Sequence, residues 1–223
     1  MCILAHSLLS PMATIRYNIA PCTTSHPPRQ TPETIPLLET YKEHLESLHG
    51  HFHRASSVER AADMTLSIIR ETNADCVATA HLPDSLQTLL AGQCADYGVE
   101  VLAPPYAYEG GLQNTLDRAQ VGITRADFAI AQTATLVEIT TNDDCRLVSS
   151  MPRTHIGIVY EDDFVDSLED ASPVLRKAFA EHDKNCVASF ISGPSRTGDI
   201  ELRLTLGVHG PEIVHTIVIP RET

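Results

Sequence analysis

The stretch CVATAHLPDSLQTLLAGQCADYGVEVL, residues 76–102, decides how this chain folds. Cys76 to Ala80 reads as a short apolar strand. Pro83 then opens a helix that runs to about Ala95, because proline suits a first helical turn, where no N–H is needed. Gly98 stops that helix, and Val99 to Leu102 reads as the next strand. A strand, a helix and a strand in so short a span predict a crossover between parallel neighbours.

Toward the N-terminus, Leu37, Leu38, Tyr41, Leu45 and Leu48 recur at helical spacing, with Gly50 as a stop. A strand is expected at His51 to Ala55. Ser56 or Ser57 caps a second helix that carries Val58, Ala62, Leu66 and Ile69 on one face. Toward the C-terminus, Asp127 to Ala131 and Thr133 to Thr140 have strand composition. Asn142-Asp143-Asp144 marks a turn from which Arg146 to Ser149 pairs back as a hairpin. His155 to Tyr160 and Val187 to Ser192 read as strands, Pro173 to Asp183 as an amphipathic helix, and Asp199 to about Leu206 as another helix. Ile213 to Ile219 closes the fold as a buried strand. This order predicts an α/β fold with a mostly parallel sheet and helices on both faces. Residues 1–32, broken by Pro11, Pro21, Pro27, Pro28 and Pro32, read as an irregular N-terminal extension. Residues 33–223 read as a single α/β domain.

The composition excludes several functions. The chain has 223 residues and a formal net charge of −13, which repels phosphate backbones and argues against nucleic acid as a partner. Aromatic residues are only 5% and Trp is absent, too few for a stacking platform. The six cysteines are spread singly, with no C-x-x-C, so neither an iron–sulfur cluster nor a structural zinc is expected in this chain. Reduced thiols and a cytoplasmic location are the expectation. The opening MCILAHSLLSPM lacks the basic start of an export signal, and Met12 offers a second start. No apolar run reaches membrane-spanning length.

Candidate chemistry lies in the loops. Gly193-Pro194-Ser195-Arg196-Thr197 follows an apolar strand and precedes the expected helix at Asp199. Peptide N–H groups at such a helix start favour an anion, and Arg196 adds a planar fork for carboxylate or phosphate. Asp199 and Glu201 either hold Arg196 or act as acid/base groups. A plain capped strand–helix turn explains the same residues. His209, between Gly207 and Gly210, titrates near neutrality and is a candidate base, though a histidine packed in a turn also fits. Thr133 and Thr135 offer hydroxyls at a strand start, and His155 enters a strand. His51 and His53 share a strand face, but no third ligand can be named, so no metal site is assigned.

Four runs taken together, GITRADFAIAQTATLVE (122–138), MPRTHIGIV (151–159), ISGPSRTGDIE (191–201) and LGVHGP (206–211), resemble the LUD domain family over about residues 35–219. The branch they are most similar to is that of the lactate-utilisation C proteins. The resemblance implies a fold similar to the NagB/RpiA/CoA-transferase group. It also implies a part in oxidising L-lactate to pyruvate alongside two iron–sulfur partner proteins, which would carry the clusters. A small carboxylate or other anion would then bind through Thr133, Thr135, His155, Gly193, Pro194, Ser195, Arg196, Thr197 and Gly210, with Glu201, His209 and Asp199 as the catalytic candidates. The family's usual Glu-Thr-Gly-Thr stands here as Gln132-Thr133-Ala134-Thr135. Two alternatives stay open. One is a stand-alone enzyme on sugar phosphates, CoA esters or folates, with Glu138, Asp199, Glu201 or His209 as acid/base groups. The other is a non-catalytic regulator or assembly factor.

Overall fold

In a computed structural model, residues 34–106, 111–182, 185–200 and 203–221 are described. Their elements, in chain order, are α1 (Thr34–Ser47), β1 (His51–Arg54), α2 (Val58–Glu71), β2 (Cys76–Ala80), α3 (Asp84–Asp96), β3 (Glu100–Leu102), α4 (Leu112–Leu116), β4 (Val121–Arg125), β5 (Phe128–Ile130) and β6 (Thr135–Thr140). There follow α5 (Asp144–Ser150), β7 (Thr154–Tyr160), β8 (Phe164–Val165), α6 (Leu168–Glu181), β9 (Val187–Ile191), β10 (Arg196–Ile200), β11 (Arg203–Leu206) and β12 (Ile213–Ile219).

The central sheet runs β1-β12-β7-β4-β2-β3, and every pairing in it is parallel. Side chains on a strand alternate between faces, so each strand feeds two layers. Val121, Ile123, Ile156, Ile158, Ile217 and Ile219 meet α2 and α3 through residues such as Ala62, Ile69, Leu86 and Leu90. On the opposite face, Val159 and Val218 meet Leu38, Tyr41 and Leu45 of α1. Cys76, Ala78 and Ala80 meet Cys145 and Val148 of α5. The expected α/β architecture, with helices on both faces of a parallel sheet, is the one observed.

A second sheet, β8-β5-β6-β9, lies over that opposite face. The passage between sheets takes one step of backbone. The Ala126 N–H donates to the Ile158 carbonyl of the central sheet, and the Asp127 N–H donates to the Val137 carbonyl of the second. Leu136 of β6 joins the α1 layer, whereas Val137 and Ile139 pack with Ala171 and Ala178 of α6. Glycines allow the close approach. A Cβ on Gly122 would stand 1.9 Å from the Val148 carbonyl oxygen, and one on Gly157 would stand 2.1 Å from Leu136 Cδ1.

Three expectations are corrected. Arg146 to Ser149 is not a returning strand but part of α5. Asn142 Oδ1 accepts the Asp144 N–H, so the turn starts a helix, and Cys145 and Val148 are buried three residues apart. The helix at Asp199 to Leu206 is absent, and β10 and β11 form an antiparallel hairpin with Arg196 opposite Leu206. Leu202, Leu204 and Leu206 alternate with Arg203 and Thr205, a period of two that outweighs the helical reading. Finally, α6 starts before Pro173, because Ser167 and Asp170 close a reciprocal capping box. Strand β4, at the middle of the central sheet, had no assignment from the sequence. The expected extension at residues 1–32 lies outside the described residues.

Candidate active site

In open parallel sheets, ligands gather beyond the carboxyl ends of the strands, where the strand order reverses. Here β2 is flanked by β3 on one side and β4 on the other, so the reversal lies between β2 and β4. His81 follows β2 directly and adopts a positive φ of 58°. Arg125 ends β4. Its Nε donates to the His81 carbonyl at 3.3 Å, and its Nη2 stands 3.5 Å from Asp127 Oδ1. Burial pulls the His81 imidazole below its ordinary range, against the nearby Asp127 charge. Burial also raises Asp127, although Arg125 and the Ile139 N–H (2.6 Å to Oδ2) both favour its charged form.

Behind these residues, polar groups continue between the two sheets. Glu138 of β6 is 1% exposed. The Thr124 hydroxyl donates to its Oε1 at 2.5 Å and the Ser149 hydroxyl to its Oε2 at 2.9 Å. The Thr124 oxygen also lies 2.7 Å from His155 Nε2, which stands 3.8 Å from Glu138 Oε1. Burial pushes Glu138 up to about 7, against the Thr124, Ser149 and Cys145 hydrogen bonds and with help from the Asp127 charge. Burial holds His155 down to about 4, so its imidazole is neutral. The Cys145 thiol, buried beside the same carboxyl, is raised well above its ordinary value.

One hydroxyl between a carboxyl and an imidazole permits two proton arrangements. With Glu138 ionised, Thr124 donates to it and His155 Nε2–H donates to Thr124. With Glu138 protonated, both bonds reverse. A carboxyl whose pKa lies near 7 moves between these states at neutral pH, as acid/base chemistry requires. His155 Nδ1 is buried with no hydrogen-bond partner among the described residues. Thr124→Val is expected to drive the Glu138 pKa further upward, because the lowering hydrogen bond is lost. The titration of the Glu138 carboxyl carbon by NMR measures it, and Thr124→Ser should restore the original midpoint.

The residues singled out from sequence fall into two groups. Thr133 and Thr135 share a hydroxyl contact of 2.7 Å, and Thr135 meets Ser192 at 2.6 Å, just before Gly193. The Ser195 N–H donates to the Pro211 carbonyl, the Gly207 N–H donates to the Ser195 carbonyl, and a Cβ on Gly210 would lie 3.3 Å from Ser195 Cβ. The Gly193–Thr197 and Gly207–Pro211 segments are therefore joined, with Pro194 buried between them. They lead into the amino end of β12, at the opposite end of the parallel strands from His81 and Arg125. Arg196 is exposed, and its Nη2 donates to the Leu48 carbonyl at the end of α1. With no helix after Ser195, the helix-start argument for an anion there is withdrawn. His209 is exposed. The backbone of Asp199 lies in β10, and Glu201 lies outside the described residues. Of these, only His155 joins the buried seam, together with Glu138, which the stand-alone-enzyme alternative named as an acid/base group. Ala134 holds a φ of 47°, a conformation glycine takes freely, at the place where the family's usual glycine is missing.

Sequence reasoning passed over His81, Thr124, Asp127 and Ser149. The available signals were a histidine closing an uninterrupted apolar strand, and Glu138 inside the run Leu136-Val137-Glu138-Ile139. A carboxyl in such a run must be buried at a cost that function has to justify.

The sequence profile of the LUD domain matches residues 38–219. The chain belongs to the LUD domain family. Within it, the chain is 34% identical over 103 residues to "Lactate utilization protein C" of Anoxybacillus flavithermus, a match covering 46% of this chain and 45% of that protein. It is 37% identical over 97 residues to the Bacillus subtilis protein of the same name, covering 43% of this chain and 40% of the relative. The matched stretch thus spans less than half the length of these LUD relatives. Among solved structures, the crystal structure of a DUF162 family protein from Deinococcus radiodurans superposes with a TM-score of 0.59. At 21% identity it covers 85% of this chain and 99% of its own, which supports the LUD fold alone. No helix among the described residues is long and apolar enough to cross a membrane.

Proposed function

We propose that this LUD protein is the lactate-utilisation-protein-C-like component of a cytoplasmic system that oxidises L-lactate to pyruvate. The observation that carries the reading is the LUD match over residues 38–219 together with the similarity to proteins named lactate utilization protein C. Oxidising a 2-hydroxy acid to a 2-oxo acid removes two protons and two electrons. The proton side falls to this chain. Glu138, relayed through Thr124 to His155, is a group of near-neutral pKa at the sheet reversal.

The electron side falls to two iron–sulfur partner proteins. Among the described residues, no group of three or more His, Cys, Asp or Glu is placed to hold a metal ion. The substrate carboxylate is assigned to Arg125 beside His81. The Ser195 and Gly207 peptide donors of the alternative loop are already spent within the chain. Two measurements test the reading. Deletion of the gene should abolish growth on L-lactate, and affinity capture of the tagged protein should recover iron–sulfur proteins. Unchanged growth together with no such protein would overturn it. Arg125→Met should weaken binding of a small carboxylate, and Arg196→Met should not. The reverse order would return the anion to the Gly193–Thr197 loop.

A further inference from the structure

The carboxyl ends of β1, β7 and β12 carry a concavity. It has a volume of about 400 Å³ and is lined by Ile35, Arg54, Glu161, Asp162, Pro220 and Arg221, among others. That is within the size range of small-molecule sites, and it lies beyond the carboxyl ends of parallel strands.

Its charges are arranged in a specific way. Arg54 is paired with Glu161. Arg221 donates to Asp163 at 2.6 Å and lies over the Tyr160 ring, 4.2 Å from its centroid. These partners cancel both guanidinium charges and fix both forks in place. Each fork carries five N–H donors, and the carboxylate bond of each pair uses Nη2 alone. Asp162 lines the same cleft, and no cation pairs with it among the described residues. The walls thus offer carboxylate-binding forks whose charge is spent, plus a carboxylate whose charge is not. Ile35 and Pro220 give an apolar surface between them.

A simple anion entering here meets Asp162 with no surplus positive charge to offset it. A simple amine meets two guanidinium groups and leaves their donors unused. A molecule with both ends satisfies both walls. We propose that this cleft binds a small zwitterion of the α-amino-acid class, with its carboxylate on the Arg54 and Arg221 forks and its ammonium on Asp162. Its lining includes none of Arg125, His81 and Asp127, and the proposal does not depend on the lactate reading.

The test uses the full chain and three probes of one carbon skeleton. These are leucine, the corresponding 2-hydroxy acid without the ammonium, and the corresponding amine without the carboxylate. Calorimetric titration at up to about 10 mM ligand detects a site of about 1 mM dissociation constant. In the Arg125→Met background, which removes the carboxylate contact assigned above, leucine alone should give saturable binding. Asp162→Asn should weaken it by about tenfold or more, the change expected from losing a charged contact of about 1.4 kcal/mol. Arg54→Met should weaken it similarly, with an unchanged melting temperature for the Asp162 variant showing that the fold is intact. Equal binding of the hydroxy acid, equal binding of the amine, or no binding of leucine overturns the proposal. So does leucine binding that Asp162→Asn leaves untouched.

Discussion

Glu138→Gln is expected to make the protein more stable above pH 7 while removing its acid/base capacity. In the fold, burial holds the Glu138 carboxyl up to about 7, from an ordinary value of 4.5. A raised carboxyl favours folding fully below its unfolded pKa, and that contribution is lost as pH rises through the folded value. The loss amounts to about 3 kcal/mol, at roughly 1.4 kcal/mol per unit. Glutamine escapes it, because an amide occupies the site without ionising and can still bond Thr124 and Ser149. The histidines act with the opposite sign. Burial lowers His155 to about 4 and His215 to about 3, the latter assisted by His51 and His53. Their contribution is full above about 6.5 and is lost as pH falls toward those lowered values. Between about 4.5 and 6.5 the two histidines outweigh Glu138, so stability climbs with pH. Between about 6.5 and 7 the Glu138 contribution is still being lost, and stability declines. Urea unfolding from pH 4 to 8, below the range in which unfolded thiols ionise, should show a maximum near 6.5 in the parent protein and no descending limb in the Gln variant. A variant less stable than the parent at pH 8 would refute the argument.

Gly122→Ala should cause the largest loss of stability from a single methyl group. The added Cβ meets a backbone oxygen of α5 at 1.9 Å, so no rotamer change relieves it and α5 must move off the sheet. Overpacking that displaces backbone costs about 3 kcal/mol or more. In a protein of this size that is a fall of about 6–12 °C in Tm. Gly92→Ala is the matched control. A Cβ there has nothing within 4 Å, and the residue lies inside α3. It should gain about 1 kcal/mol from helix propensity. Calorimetry on the two variants decides whether contact or composition governs the effect.

The parallel core was legible because its signals are local. Cys76 to Ala80, Pro83 and Gly98 each carry their meaning within a few residues, and β2 and α3 formed where those signals place them. The hairpin at β10 and β11 was misread because a short apolar run supports either period, and the Gly193-Pro194-Ser195 turn resembles a helix start. The seam was partly hidden for a different reason. Glu138 acquires its near-neutral carboxyl only when β6 is laid over β4 and β7. The contacts of Thr124 and Ser149 with it span 14 and 11 residues of sequence. Its chemistry is a product of layer stacking, which no window along the chain contains. His155 was named as a polar partner of an anion, and in the structure it is fully buried with its Nε2 2.7 Å from the Thr124 hydroxyl.

The Ala126–Asp127 step, where the backbone leaves one sheet for the other, has a mechanical consequence. Consecutive amides are anchored in different layers, so a twist of the outer layer is delivered to the end of β4 across one peptide unit. Arg125 precedes that unit and Asp127 is part of it. A torque applied to the outer layer by a docked protein would therefore alter the spacing of this ion pair directly, with no intermediary.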